Sequence, residues 1–229
     1  KHLSTFAVTS MGRKSILGLE VPQTIEETKN LQQATIEINN LESENDQKLN
    51  FSGVFDTKKN IDKCSKGGVL NAIDLLEIAD TIASSIRLKK IIFNVELRPF
   101  ISSIVGQLVD HIQIEKILKN GIENNGRISD NASEKLYELR NRLNFIKKER
   151  RFLLDSFIQK NSNYLQDSII GDRFGRPVLP IKINFINKIK GIIHDSSSSG
   201  NTVFIEPEAV IAKGNQIASV NAKISSEEY

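Results

Sequence analysis

One change of period constrains the fold of this chain more than any other feature. From Ser133 to about Asn163, Leu136, Leu139, Leu143, Ile146, Leu153 and Phe157 recur at alternating spacings of three and four, with Arg150 on the one missing rung. That spacing draws an apolar seam over about three to four heptads of one helix. Pattern alone fits a coiled-coil arm or an amphipathic bundle helix equally well. The period then breaks into short β-branched runs, Ser168–Ile170, Val178–Ile183, Ile189–Ile193 and Thr202–Ile205, separated by Gly171, Gly175, Pro177, Pro180 and Gly200. Runs of this kind read as strands of a small antiparallel sheet. Pro207 opens a second helix, Glu208 to Tyr229, since proline is tolerated in a first turn. A helix outward, a small sheet and a helix back describe an arm with a tip.

The part before Ser133 reads as helical, with no convincing strand. A first helix carries Leu3, Phe6, Ala7, Met11 and Leu17 from Lys1 onward and closes at Pro22, which cannot continue the hydrogen-bond ladder. Thr24-Ile25-Glu26-Glu27 has the form of a capping box in which Thr24 and Glu27 satisfy each other's amides. The helix it starts runs through Leu31, Ala34, Ile38 and Leu41, and the polar stretch Glu42–Asn50 reads as a loop. A short helix over Lys58–Cys64 ends at Gly67-Gly68, where positive φ is easily adopted. Asn71 caps the next, whose apolar face holds Leu75, Leu76, Ile78, Ala79, Ile82 and Ile86. Shorter helices are expected over Arg98–Val109 and Gln113–Lys119.

Composition removes several function classes. Hydrophobic residues are 39% of the chain, and with 13 glycines this is ordinary globular usage. No run approaches the ~18 apolar residues of a membrane span, and no signal-peptide pattern opens the chain. A single cysteine, Cys64, excludes an internal disulfide, and His2, His111 and His194 are scattered, so no metal site is indicated. A cytoplasmic protein with no membrane partner is the expectation. Net charge is +3, but residues 1–125 hold 15 basic and 16 acidic side chains while residues 126–229 hold 16 and 12. The stretch from Asp172 to Lys190, with five basic residues against one acid, is where the excess sits.

Several stretches mimic active sites. His194, Asp195 and Ser196–Ser199 suggest a hydrolase, but neighbours on a strand point to opposite faces, and no nucleophile elbow is present. Gly12-Arg13-Lys14-Ser15 resembles the end of a phosphate loop without its leading glycine or strand. Gly171-Asp172-Arg173-Phe174-Gly175-Arg176 lies between strands and reads as a turn. The basic residues of the tip are different: Arg173, Arg176, Lys182, Lys188 and Lys190 face one acid between residues 172 and 190. Positive charge with several donors is what a backbone phosphate requires, and Ser198 and Asn201 add neutral donors. The alternative is a solvated basic edge that discourages strand-to-strand aggregation.

The segment from Asp172-Arg173-Phe174-Gly175-Arg176-Pro177 to Lys182 resembles a motif of the bacterial MutS-two family, the MutS paralogues without a mismatch-recognition domain. The more specific match is Gly191-Ile192-Ile193-His194-Asp195-Ser196-Ser197-Ser198-Ser199-Gly200-Asn201-Thr202-Val203-Phe204-Ile205-Glu206-Pro207. Gly67-Gly68-Val69-Leu70 with Asp74-Leu75-Leu76, and Ile128–Ser133 leading into Leu136 and Arg140, are similar too. The sequence departs at Ala212-Lys213-Gly214-Asn215, where the family usually carries Leu-Asn-Asn, and a glycine inside a helix costs up to ~1 kcal/mol.

The resemblance implies a mainly α fold: a helical core at 1–125, an outgoing lever helix at 126–167, a small antiparallel β clamp at 168–206, and the start of a returning lever helix at 207–229. It implies the core and clamp portion of a homodimeric ATPase that carries a Smr endonuclease domain, suppresses recombination through branched DNA and acts on stalled ribosomes. The implied partners are DNA, branched or duplex, or ribosomal RNA. No ATPase or Smr motif occurs in this chain, so a fragment or a truncated gene is expected, with no catalysis and no cofactor of its own; ATP and Mg²⁺ belong to the missing ATPase domain. The competing expectation is a helical interaction and dimerisation module with no nucleic-acid role.

Overall fold

A computed structural model of the chain describes residues 2–44 and 48–229. These form eight α-helices and one four-stranded antiparallel sheet, and the chain divides into two compact units between Ala132 and Ser133. The fold is mainly helical with a small antiparallel sheet near its C-terminal end, as the change of period implies.

The first unit is built from α1 (Ser10–Leu17), α2 (Ile25–Glu44), α3 (Lys58–Ser65), α4 (Ala72–Ile92), α5 (Pro99–Val105) and α6 (Ile112–Gly121). Its helix starts follow local chemistry. Thr24 Oγ1 accepts from the Glu27 amide at 3.1 Å while Glu27 Oε2 accepts from the Thr24 amide at 3.2 Å. Asn71 Oδ1 accepts from the Asp74 amide at 2.8 Å. Gly67, at φ +78°, ends α3. Leu41, Leu88, Ile92 and Ile101 form the core around which α2, α4 and α5 pack. The carboxylate of Glu37, 2% exposed, accepts from the Ile101 amide at 2.8 Å and the Phe100 amide at 3.2 Å. It thereby satisfies orphan amides at the start of α5, where a negative charge also suits the helix dipole.

Three expectations for this unit change. The single helix from Lys1, itself outside the described residues, is a 3₁₀ turn over Leu3–Phe6 followed by α1. The break falls at Thr9, which is extended and accepts the Gly12 amide on its side chain at 3.0 Å. The loop expected over Glu42–Asn50 is helical through Glu44, and residues 45–47 lie outside the described part. The helix expected to reach Val109 stops at Val105, where Gly106 follows.

In the second unit, α7 (Glu134–Lys160) and α8 (Glu208–Glu228) run antiparallel. Ser133 caps α7 by accepting the Leu136 amide at 3.0 Å and donates to Glu227 at 2.9 Å. Lys135–Glu227 at 2.7 Å and Lys213–Glu149 at 2.8 Å tie the two helices at opposite ends of their overlap. The seam of α7 is therefore one side of a helix pair: Leu136 and Ile146 are buried on it, Leu153 and Phe157 are half-buried, and Leu154 beside them is buried against the sheet, while α8 buries Val210, Ile217, Val220 and Ile224. Between the helices stand β1 (Gly171–Arg173), β2 (Arg176–Lys182), β3 (Gly191–Ser196) and β4 (Thr202–Pro207), in spatial order β1-β2-β4-β3. A 3₁₀ turn over Ile183–Lys188 carries the chain from β2 to β3. Leu179, Ile181, Val203 and Ile205 pack with Leu154, Leu165 and Val210, joining the sheet to the ends of both helices.

The strand boundaries correct the sequence expectation. Ser168–Ile170 is not a strand, and Gly171–Arg173, expected to be a turn, is β1. The turn contracts to Phe174-Gly175, both at positive φ (54° and 78°). Two such residues make the mirror-image turn that matches strand twist and lets both strands begin at once. Ile183 belongs to the 3₁₀ turn. Pro180 is accommodated in the inner strand because its carbonyl accepts from the Gln166 amide at 2.9 Å. Its ring nitrogen faces that same side, past the end of β1, so no ladder bond is lost.

Candidate nucleic-acid interface

The basic residues singled out in the sequence fall into two environments. Arg173 and Arg176 are committed within the sheet. Arg173 Nε donates to Asp195 Oδ2 at 2.9 Å, and its guanidinium lies 4.4 Å over the Phe204 ring. That hydrogen bond, with one from the Ser196 amide, holds the Asp195 carboxyl below the usual carboxylate range. Arg176 reaches inward to Glu206 Oε1 at 3.3 Å and to Asn215 Oδ1, on α8, at 2.8 Å. Glu206 is 1% exposed, and its other oxygen meets His194 Nε2 at 2.9 Å.

A buried carboxylate is tolerated only when paired and hydrogen-bonded. Glu206 meets that condition through Arg176 and His194. His194 reaches it because β3 bulges between Ile193 and Asp195; an inserted residue re-aims its side chain. His194 and Asp195 accordingly serve separate partners, Glu206 and Arg173. Gly214 is part of the same assembly. A Cβ there would come within 2.5 Å of Arg176 Nη1 and 3.3 Å of Glu206 Oε1. The departure from Leu-Asn-Asn thus gives the guanidinium room against α8.

The lysines are differently placed. Lys182 is half-buried, its Nζ 3.3 Å from the Asn163 carbonyl. Lys188 and Lys190 are exposed, and the ammonium of neither has a hydrogen-bond or ion-pair partner among the described residues, although the Lys190 carbonyl accepts from the Glu208 amide at 3.0 Å. Ser198 and Asn201 are exposed on the β3–β4 turn. The set does not form one cluster. Lys182 pairs across from Thr202, beside the Ser198–Asn201 turn, whereas Lys190 precedes Gly191, which pairs with Pro207. Five residues of β4 separate the two levels, about 17 Å at strand rise. Phosphates spaced along a strand could bridge that distance; a single small anion could not.

Among the described residues, no group of three or more His, Cys, Asp or Glu side chains could hold a metal, and no helix is long and apolar enough to cross a membrane. Sequence reasoning missed the Arg176–Glu206–His194 assembly, whose partners are 12 and 30 residues apart. The one available signal was an acid, Glu206, inside an otherwise apolar strand.

The fold is thus a helical unit together with an antiparallel helix pair that carries a small sheet. No family model matches the chain. Its sequence is 31% identical over 228 residues to Endonuclease MutS2 of Synechocystis sp., which covers all of this chain and 28% of that protein. Endonuclease MutS2 of Symbiobacterium thermophilum is 32% identical over 226 residues, and that of Halalkalibacterium halodurans 33% over 235, covering 98% and 99% of this chain. The chain belongs to the MutS2 family. It spans between a quarter and a third of the length of these relatives.

Proposed function

We propose that this chain is the non-catalytic core, lever and clamp portion of a MutS2-type ATPase, and that its sheet grips nucleic-acid backbone. The observation that carries the reading is the pair Lys188 and Lys190, exposed without a counter-ion beside a sheet held by two helices. Lys182, Ser198 and Asn201 extend the phosphate-facing surface, while Arg173 and Arg176 hold its frame. Contacts to phosphate carry no base information, so binding would be nearly sequence-independent and strongly salt-dependent. The target is DNA, branched or duplex, or ribosomal RNA, consistent with roles in suppressing recombination and acting on stalled ribosomes. A homodimer of the full protein would present two clamps and raise affinity by making the second contact intramolecular. ATP and Mg²⁺ would act outside this chain. The test is titration of labelled branched DNA, duplex DNA and rRNA fragments at several salt concentrations, comparing wild type with Lys182, Lys188 and Lys190 reversed to Glu. Lost affinity is expected; unchanged affinity would refute the clamp role.

A second reading rests on the first unit. Leu3, Phe6, Val8, Leu17, Val21 and Ile25 are more than half exposed. Pro22, Leu31 and Ile36 line an open apolar groove of about 400 Å³. Exposed apolar side chains of this kind suit a protein-contact face. It favours an interaction or dimerisation role for that unit and is compatible with a nucleic-acid role for the sheet.

A further inference from the structure

The β1–β2 turn presents an aromatic ring in a way that folding alone does not require. Phe174 is 95% exposed, and its backbone sits at φ +54°. Left-handed backbone is costly for a bulky side chain, and burial does not compensate here because the ring is in solvent. Asn-Gly or Gly-Gly would form the same turn without that cost. Strain of this sort persists where the surroundings over-determine it, and it concentrates at functional sites.

The surroundings do over-determine it. Asp172 Oδ1 accepts the Gly175 amide at 3.0 Å across the turn. On one side Arg173 is fixed to Asp195 and Phe204; on the other Arg176 is fixed to Glu206 and Asn215. The two arginines make a rigid mount for the residue between them. The ring itself has no aromatic or cation partner among the described residues. Its chain neighbours are Asp172, Arg173, Gly175 and Arg176, so the turn that carries it is charged and polar. Lys190 stands exposed at the same end of the sheet, two strands over from β2.

We propose that Phe174 is a stacking finger that takes an unpaired nucleobase, with the adjacent lysine surface holding the flanking phosphates. This rests on the nucleic-acid reading above and deepens it: the lysines would bind any backbone, whereas Phe174 would favour a strand with an accessible base face. A flat ring beside positive charge suits that ligand, because every base offers a π-face whatever its sequence. Fixing the backbone beneath the ring lowers the ordering cost on binding. The site then distinguishes gapped or branched nucleic acid from a closed duplex.

The chain contains no tryptophan, so Phe174→Trp places a single indole, excited selectively over the tyrosines, at the finger. Phe174→Trp, Phe174→Ala and wild type would be titrated with gapped DNA, gapped RNA and fully paired duplex of equal phosphate number. The expected result is quenching of the Trp emission by gapped ligand and little by duplex. Phe174→Ala should lose roughly tenfold in affinity for the gapped ligand, within the range of one base–aromatic stack, and keep duplex affinity. The DNA and RNA arms identify which strand supplies the base. Phe174→Asn, which suits the turn, provides a second variant certain to keep the hairpin and should show the same selective loss. Binding of gapped ligand without quenching, or equal effects on gapped and duplex ligands, would overturn the finger while leaving the lysine clamp intact. Absence of salt-dependent binding by wild type to every ligand would overturn both.

Discussion

The arginine hairpin, Arg173 to Arg176, and the lysine crossover, Lys182 to Lys190, look alike in sequence: short, basic and flanked by turn-forming residues. In the folded chain they do opposite work. The arginines turn inward, one to a surface carboxylate and an aromatic ring, the other to a carboxylate buried to 1% exposure. Lys188 and Lys190 turn outward, and their ammonium groups are left without partners among the described residues. The planar guanidinium has five donors in a fixed fork, which suits shared buried contacts, whereas ammonium is a strongly hydrated point charge that favours the surface. Charge counting alone cannot separate structural from available cations; the acids within reach decide it.

Arg176 carries the largest expected effect. Arg176→Ala strands the Glu206 carboxylate beside His194 alone, and the second unit should lose about 2–3 kcal/mol, toward the low end of the cost of breaking a buried pair because the guanidinium is about one-third exposed. Denaturant titration of the variant would measure it. A loss no larger than for a surface pair would show that Glu206 is satisfied without the arginine.

Gly214 gives the next effect. Gly214→Ala gains up to ~1 kcal/mol in helix propensity but pushes the Arg176 head off its site, for a net loss of about 1 kcal/mol once the buried carboxylate is exposed to that loss. In the Arg176→Ala background the same substitution should become stabilising. A double-mutant cycle reads the sign change directly, and additive effects would mean the two residues do not share space.

Phe174→Asn should raise stability by about 1 kcal/mol, since the left-handed backbone penalty on a bulky residue is relieved. Thermal unfolding measures it. No change would mean that the turn carries no strain.

The Arg173–Asp195 pair yields a smaller effect with a defined pH sign. Asp195 has a folded pKa lowered from 3.8 by Arg173, so its contribution to stability is present above the unfolded value and disappears as pH falls through the folded one. Glu227, lowered by Lys135 and Ser133, behaves the same way. Stability of the second unit should therefore decline below about pH 4, and Asp195→Asn should flatten the Asp195 part of that decline. An identical acid profile in wild type and variant would remove the pair from the account.

What the sequence disclosed was mainly what neighbouring residues decide among themselves. Thr24 with Glu27 and Asn71 with Asp74 are partners three residues apart, and both caps form as read; Ser133, read only as the start of a helix, caps it in the same way. The seam of α7 was legible because period is local, although the choice between coiled-coil arm and bundle helix depended on α8, more than 70 residues later. Strand edges were misplaced where Phe174-Gly175 forms a turn normally signalled by Asn-Gly. That Arg176 pairs with Glu206 was not legible, because Glu206 lies 30 residues away, a distance over which composition says nothing about contact. Gly214 read as a defect for the same reason, its function being defined only by the side chain that crosses it.

Lys188→Ala and Lys190→Ala should each change stability by less than about 0.5 kcal/mol, as exposed residues without partners do. The most direct test of the account uses that insensitivity: affinity for branched and duplex DNA across a salt series, for wild type, Lys188→Ala, Lys190→Ala and the double variant. The log–log salt slope should fall by roughly 0.9 for each lysine removed on duplex DNA, with unfolding curves unchanged. Slopes and affinities that match wild type in all three variants would contradict it and leave the lysine crossover as a solvated edge.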